Sequence, residues 1–217
     1  MVRMMNLNQY EDNFFRINKQ KTDMLFQPED CVGGLNLPSK RLFEVKSSGN
    51  MSCLELSLQW LGKAQKNGIC VMVDSEFNCT PEQIKRYNVN PKELLYVPVS
   101  YPQENYAILY KLLTLKDIRL IVLNSCQLLF PLVYDIKEFT TYFTKLKECV
   151  QQSEASVVIL NPYYDLGYKT FSKIIYSQFS TKYEKKLKNS VKIAVKVKNL
   201  QNINQNKEFS TVINYIQ

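Results

Sequence analysis

The chain has 217 residues, enough for one large domain or one domain with a short appendage, and its 45% hydrophobic and 22% charged content excludes wholesale disorder. Lys and Arg number 28 against 20 Asp and Glu, a formal charge of +8. There is no histidine, which removes the Ser-His-Asp triad, the Cys-His dyad, His-ligated zinc and imidazole acid–base chemistry together.

Residues 1–30 are polar with scattered aromatics (Tyr10, Phe14, Phe15, Phe26) and read as an N-terminal arm or peripheral helix, with one core domain over 31–217. Gly33-Gly34 and Pro38 mark a turn before a short strand at 41–45. Residues 46–52 form a small-residue loop, and the leucines at 54, 56, 58 and 61 predict a helix over 53–67, stopped by Gly68. Ile69–Val73 is a continuous apolar run with Asp74 and Glu76 at its carboxyl end, a strand buried on both faces. Thr80-Pro81-Glu82-Gln83 has the pattern of a capped helix start, ending near Asn88. Further along come a strand at 94–99, a helix at 103–115, a strand at 119–125, a helix at 139–152 and strands at 155–160, 191–197 and 209–216. Strands alternating with helices of this length predict an α/β domain with a mainly parallel sheet, whose ligands sit outside the carboxyl ends of the strands. The loops to inspect are therefore 46–53, 74–80 and 124–131.

The six cysteines (31, 53, 70, 79, 126, 149) show no CxxC spacing and mostly sit in apolar runs, which reads as buried free thiols in a reducing cytoplasm. The first residues lack the apolar core of a signal peptide, and no window is long and apolar enough for a membrane helix, so a cytoplasmic protein without membrane contact is expected. Residues 151–217 hold ten lysines and four acids, six of the eight net charges. A basic C-terminal third points to a polyanion, for which nucleic acid is the common choice. A solvated lysine-rich face is the plainer alternative.

The order strand, Ser/Gly loop, helix, then strands ending in acids and in Asn124-Ser125, is the layout of a P-loop ATPase. Gly33-Gly34-Leu35, Arg41-Leu42-Phe43-Glu44-Val45, Leu56-Ser57-Leu58-Gln59, Ala64-Gln65-Lys66-Asn67-Gly68, Val73-Asp74-Ser75-Glu76 and Leu120-Ile121-Val122-Leu123-Asn124-Ser125 together resemble the ATPase core of the RecA recombinase family, over roughly residues 32–200. The resemblance implies a three-layer RecA-like domain of the P-loop NTPase type.

A working phosphate loop needs G-x-x-x-x-G-K-[ST], with backbone N–H groups around the phosphates, lysine on the β/γ oxygens and the hydroxyl on Mg²⁺. The matching stretch here is Ser47-Ser48-Gly49-Asn50-Met51-Ser52-Cys53-Leu54. Cys53 falls on the lysine and Leu54 on the hydroxyl; a shifted alignment puts Asn50 and Met51 there instead. The acid ending the Walker B strand falls on Asn124, and the adenine-stacking tyrosine on Gln83. The resemblance leaves Glu76, on the water-activating glutamate, as the one catalytic remnant, and Lys46 as the only cation beside the loop. No cofactor is expected, with weak binding of ATP and Mg²⁺ left open.

The first DNA loop of the family is shortened between Pro131 and Phe139, and the second keeps its length. Tyr163, Tyr164, Tyr168, Lys169 and Lys173, followed by Lys182, Lys185, Lys186 and Lys188, interleave aromatics with lysines across the basic segment 161–190, which suits stacking on bases while neutralising phosphates. The alternative is an amphipathic helix with Phe171, Ile174, Ile175 and Phe179 on its apolar face. By the resemblance, a counterpart of the family's C-terminal domain is not expected and its subunit-linking arm is expected to be reduced, so the usual filament is not expected, with an oligomer left open. Three functions follow from the resemblance. One is a non-hydrolysing accessory in DNA repair, recombination or the SOS response, similar to ImuA, that binds single-stranded DNA, a RecA-type recombinase or a polymerase. Another is a protein-binding regulator akin to the SulA-type inhibitors. The last is a DNA-dependent ATPase with an atypical site.

Overall fold

The computed structural model describes residues 38–47, 50–75, 79–99, 102–124, 136–161, 176–188, 190–199 and 207–214. The arm at 1–30 lies outside them. Eight strands form one sheet: β1 (Leu42–Ser47), β2 (Ile69–Asp74), β3 (Leu94–Pro98), β4 (Ile118–Asn124), β5 (Ser156–Asn161), β6 (Ser177–Lys186), β7 (Ser190–Asn199) and β8 (Lys207–Asn214). Four helices accompany them: α1 (Asn50–Ala64, extended by a 3₁₀ turn over 65–67), α2 (Pro81–Lys85), α3 (Pro102–Thr114) and α4 (Ile136–Gln152). The strand order is β3-β2-β4-β5-β1-β6-β7-β8. The first six of these run parallel, and β7 is antiparallel to both β6 and β8.

Every residue of β4 and β5 is buried, as expected of strands covered on both faces. Two apolar clusters lie on opposite faces of the sheet. One packs Leu54, Leu58, Trp60 and Leu61 of α1, with Ile84 and Tyr87, over Phe43, Val45, Met72, Val122, Leu160 and Phe179. The other packs Leu109 and Leu112 of α3 and Phe143, Leu146 and Val150 of α4 over Val71, Val73, Ile121, Val157 and Ile159. The fold is thus α/β with helices on both faces of a mostly parallel sheet. No helix of the described residues is long and apolar enough to cross a membrane.

Two expectations change. The helix predicted over 53–67 begins at Asn50, because nothing from Asn50 onward breaks a helix and Ser52, Cys53 and Leu54 are already buried. The apolar helix expected to include Phe179 is not formed at that residue: Ser177–Lys186 is strand β6, and Phe179 points into the core 4.9 Å from Trp60 and 6.1 Å from Phe43 in edge-on contacts. Phe179 and Thr181 are buried while Ser180 and Lys182 are exposed, so the true period is two. Phe171, Ile174 and Ile175 lie outside the described residues. The helix start at Thr80 is as expected: Thr80 Oγ1 accepts from the Gln83 N–H and Gln83 Oε1 accepts from the Thr80 N–H, a reciprocal capping box.

Gly62 faces the turn after α2. A Cβ there would lie 2.6 Å from the Tyr87 carbonyl oxygen and 3.0 Å from the Asn88 carbonyl group. Gly62→Ala therefore destabilises the fold by about 1–3 kcal/mol, although alanine is the better helix former. A lowered urea midpoint checks this; an unchanged or raised midpoint contradicts it.

Candidate functional site

In open parallel sheets, ligands bind where adjacent strands lead to helices on opposite faces. Here β2 leads to α2 on the α1 face and β4 leads to α4 on the other. The strands pair Asp74 with Asn124 at their carboxyl ends. Asp74 has no solvent exposure. Its Oδ1 accepts from Asn124 Nδ2 at 2.8 Å, and its Oδ2 accepts from the Tyr96 hydroxyl at 2.6 Å and the Cys79 N–H at 3.3 Å. Ser75 Oγ donates to the Asn124 carbonyl at 2.8 Å. Burial, then the hydrogen bond to Asp74, pushes the Tyr96 phenol above its usual range, so it stays a donor. Burial, then the Asp74 charge, does the same to the Cys79 thiol.

Asn124, which the resemblance aligns with a magnesium-binding acid, is here a hydrogen-bond donor to a carboxylate. An aspartate there would set two carboxylates side by side in a site without solvent, which a neutral amide avoids.

The stretch Ser47–Leu54 joins β1 to α1 through only residues 48 and 49, since Asn50, Met51, Ser52, Cys53 and Leu54 are helical. Ser48 and Gly49 lie outside the described residues. The long wrapping loop expected from the resemblance is therefore not formed as expected, because the helix takes up its second half. Cys53 and Leu54, at the lysine and hydroxyl positions, are each 2% exposed and belong to the core under α1. Ser52 is 1% exposed. The Thr181 hydroxyl donates to the Lys46 carbonyl at 3.1 Å, so its single hydrogen is spent there. The 2.8 Å contact between Ser52 and Thr181 then has Ser52 as donor, and the 2.7 Å contact between Ser47 and Ser52 has Ser47 as donor. This one-way hydroxyl chain ties the end of β1, the first turn of α1 and the middle of β6.

Lys46, the cation beside the loop, alternates to the opposite face from Ser47 and lies 4.0 Å from Glu44 Oε2. Glu44 is fully buried in the central strand. Its Oε1 accepts from Asn161 Nδ2 at 2.8 Å and its Oε2 from Gln178 Nε2 at 2.5 Å. In the alignment that puts Cys53 and Leu54 on the lysine and hydroxyl positions, the described residues do not fit a magnesium triphosphate: both side chains are core, the amide of Asn124 is bonded to Asp74, and Lys46 lies on the other face.

Glu76, Tyr163, Tyr164, Tyr168, Lys169 and Lys173 lie outside the described residues. Lys182, Lys185, Lys186 and Lys188 are exposed on β6 and the turn after it. An open cleft of about 950 Å³ where β1 ends against β6 and β7 takes in Lys182 but not the other three, and is lined also by Lys46, Tyr183, Glu184, Lys196 and Glu208. The sequence reading missed Asp74, Tyr96, Glu44 and Gln178 as a polar framework. The signal for Glu44 is a charge inside an otherwise apolar strand, and for Asp74 an acid ending one.

No protein-family model matches the chain, and no curated protein matches it.

Asn124→Asp, which sets a second carboxylate against buried Asp74, destabilises the protein by about 3 kcal/mol. Denaturant titration at neutral pH reads this, and an unchanged midpoint would contradict it. Cys79, kept as a thiol, resists iodoacetamide in the native protein and reacts once unfolded; native-state alkylation of Cys79, mapped by mass spectrometry, would refute the assignment.

Proposed function

We propose that this chain is a non-hydrolysing RecA-like accessory protein of DNA repair or recombination, working in the cytoplasm, that acts through binding rather than ATP turnover. The observation that carries the reading is the burial of Cys53 and Leu54 where a phosphate-binding lysine and a metal-binding hydroxyl would stand. The RecA-like type is supported by the order of elements: a central strand followed directly in sequence by a helix that packs on the sheet, and strands on one side of it ending in Asn161, Asn124 and Asp74. The loss of hydrolysis is supported by the amide at Asn124 and by Lys46 facing Glu44. A lost charge contact to a transferring phosphoryl group costs on the order of 3–4 kcal/mol of barrier, so the combined losses push any rate toward background.

DNA is favoured as the partner by charge. The β6–β7 hairpin, residues 177–199, holds seven lysines and one acid. A recombinase or polymerase is a further partner of this reading, and a SulA-like protein-binding role is its competitor.

The test is binding of ATP with Mg²⁺ and of an oligonucleotide by the whole chain at about 50 and 200 mM salt. The expected result is no turnover and DNA retention that falls steeply with salt, lost when Lys185, Lys186 and Lys188 are changed to Glu. ATP turnover that drops on Glu76→Gln would overturn the reading in favour of an enzyme. Absence of DNA binding at either salt, with salt-insensitive capture of a protein partner, would overturn it in favour of a protein-binding module.

A further inference from the structure

The three strands at the β8 end of the sheet contribute one face only to the apolar core. Val191, Ile193, Val195 and Val197 of β7 and Ile213 of β8 pack on the α1 side. The cluster under α3 and α4 takes residues from β1 to β5 and none from β6, β7 or β8. Strand alternation places Lys192, Lys196 and Lys198 of β7 on that second face, with Lys182 of β6 opposite Ala194. Lys185 of β6 is registered directly opposite Lys192, a like-charge pair that weakens the sheet and that folding alone does not call for.

Two acids partly neutralise the face. Glu184, at the irregularity in β6, accepts from Lys192 at 2.7 Å and from Ser210 Oγ at 2.7 Å. Glu208 of β8 lies 3.3 Å from Lys196. Lys182 and Lys198 make no ion pair with a described residue. Of the exposed large apolar side chains among the described residues, Val212 is on this face, registered opposite Lys192, whereas Tyr183 is opposite Ile193 on the α1 side and Leu187 lies in the turn after β6. Lysines spaced over a broad sheet face suit the phosphates of an extended strand. Reading a duplex groove takes an inserted helix or β-ribbon, and a sheet face three strands wide does not enter one.

We propose that the open face of β6–β7–β8 is a platform for single-stranded nucleic acid, on which Lys182, Lys192, Lys196 and Lys198 neutralise phosphates and Glu184 and Glu208 compete with them. This rests on the DNA-binding reading above and adds to it the β7 lysines, the sheet face and the two acids that restrain affinity. Four contacts to a single strand give a salt slope of about −2.8, which is about a fifty-fold loss between about 50 and 200 mM salt.

The experiment is fluorescence anisotropy of an oligothymidylate of about 20 nucleotides with the whole chain. Lys182→Gln/Lys198→Gln weakens binding and reduces the salt effect to about sevenfold. Glu184→Gln/Glu208→Gln tightens binding severalfold, a gain that misfolding cannot produce. If the wild type binds and neither double variant changes its affinity, the platform is overturned while the DNA reading stands. Equal or tighter binding of a duplex of the same length also overturns the platform. If the wild type binds at neither salt, the DNA reading and the platform fall together.

Discussion

Two carboxylates without solvent access organise this domain at the carboxyl ends of its strands. Asp74 on the α1 face and Glu44 on the other are each surrounded by neutral or cationic donors: Tyr96, Asn124 and the Cys79 N–H for the first, Asn161, Gln178 and Lys46 for the second. An ionised group buried without such partners is too costly to keep, and removing a single partner from a buried group costs about 1–3 kcal/mol. The residues that meet Asp74 and Glu44 are therefore constrained to be donors. Asn124 and Asn161 satisfy that constraint at adjacent strands, and the same constraint disfavours an acid at 124.

The turn between β1 and α1 obeys a second constraint. A phosphate cradle needs a run of backbone N–H groups left open by an irregular loop, with side chains turned toward the anion. Here the helix starts at Asn50, its first turn is bound to β6 through Ser47, Ser52 and Thr181, and the next two side chains are core. The described residues here are committed to packing and to the hydroxyl chain. The proposed loss of ATP turnover follows from that packing together with the missing cation.

The positive charge lies elsewhere, on the hairpin that extends the sheet past β1. The β6 strand is apolar on its α1 face only as far as Thr181, while its other face and its distal end carry lysines. Lys182 shares that other face with Glu44 and Lys46 of β1, and Lys46, Ser47, Lys182 and Lys196 line one cleft where β1 ends.

Periodicity and end signals in the sequence were enough for the α/β class, the parallel core and most elements. Continuous apolar runs such as Ile69–Val73 and Leu120–Leu123, too short for a helix and ended by polar residues, read as strands covered twice, and Thr80-Pro81 signals a capped helix start locally. Residues 177–186 were not legible, because aromatic and lysine side chains alternate there in a way that also fits a helical spacing with Phe171 and Ile175; only pairing with β1 and β7 decides for the strand. The start of α1 was misread for a similar reason: Asn50, Met51 and Ser52 are indifferent residues, and the burial of Ser52 against Thr181, 129 residues away, carries the helix back to them. That residues 47–54 hold no cation and that position 124 is an amide can be read directly from the chain. Where Cys53, Leu54 and Lys46 point, and that Asn124 donates to Asp74, follow from contacts between distant strands, which set side-chain direction and buried hydrogen bonding.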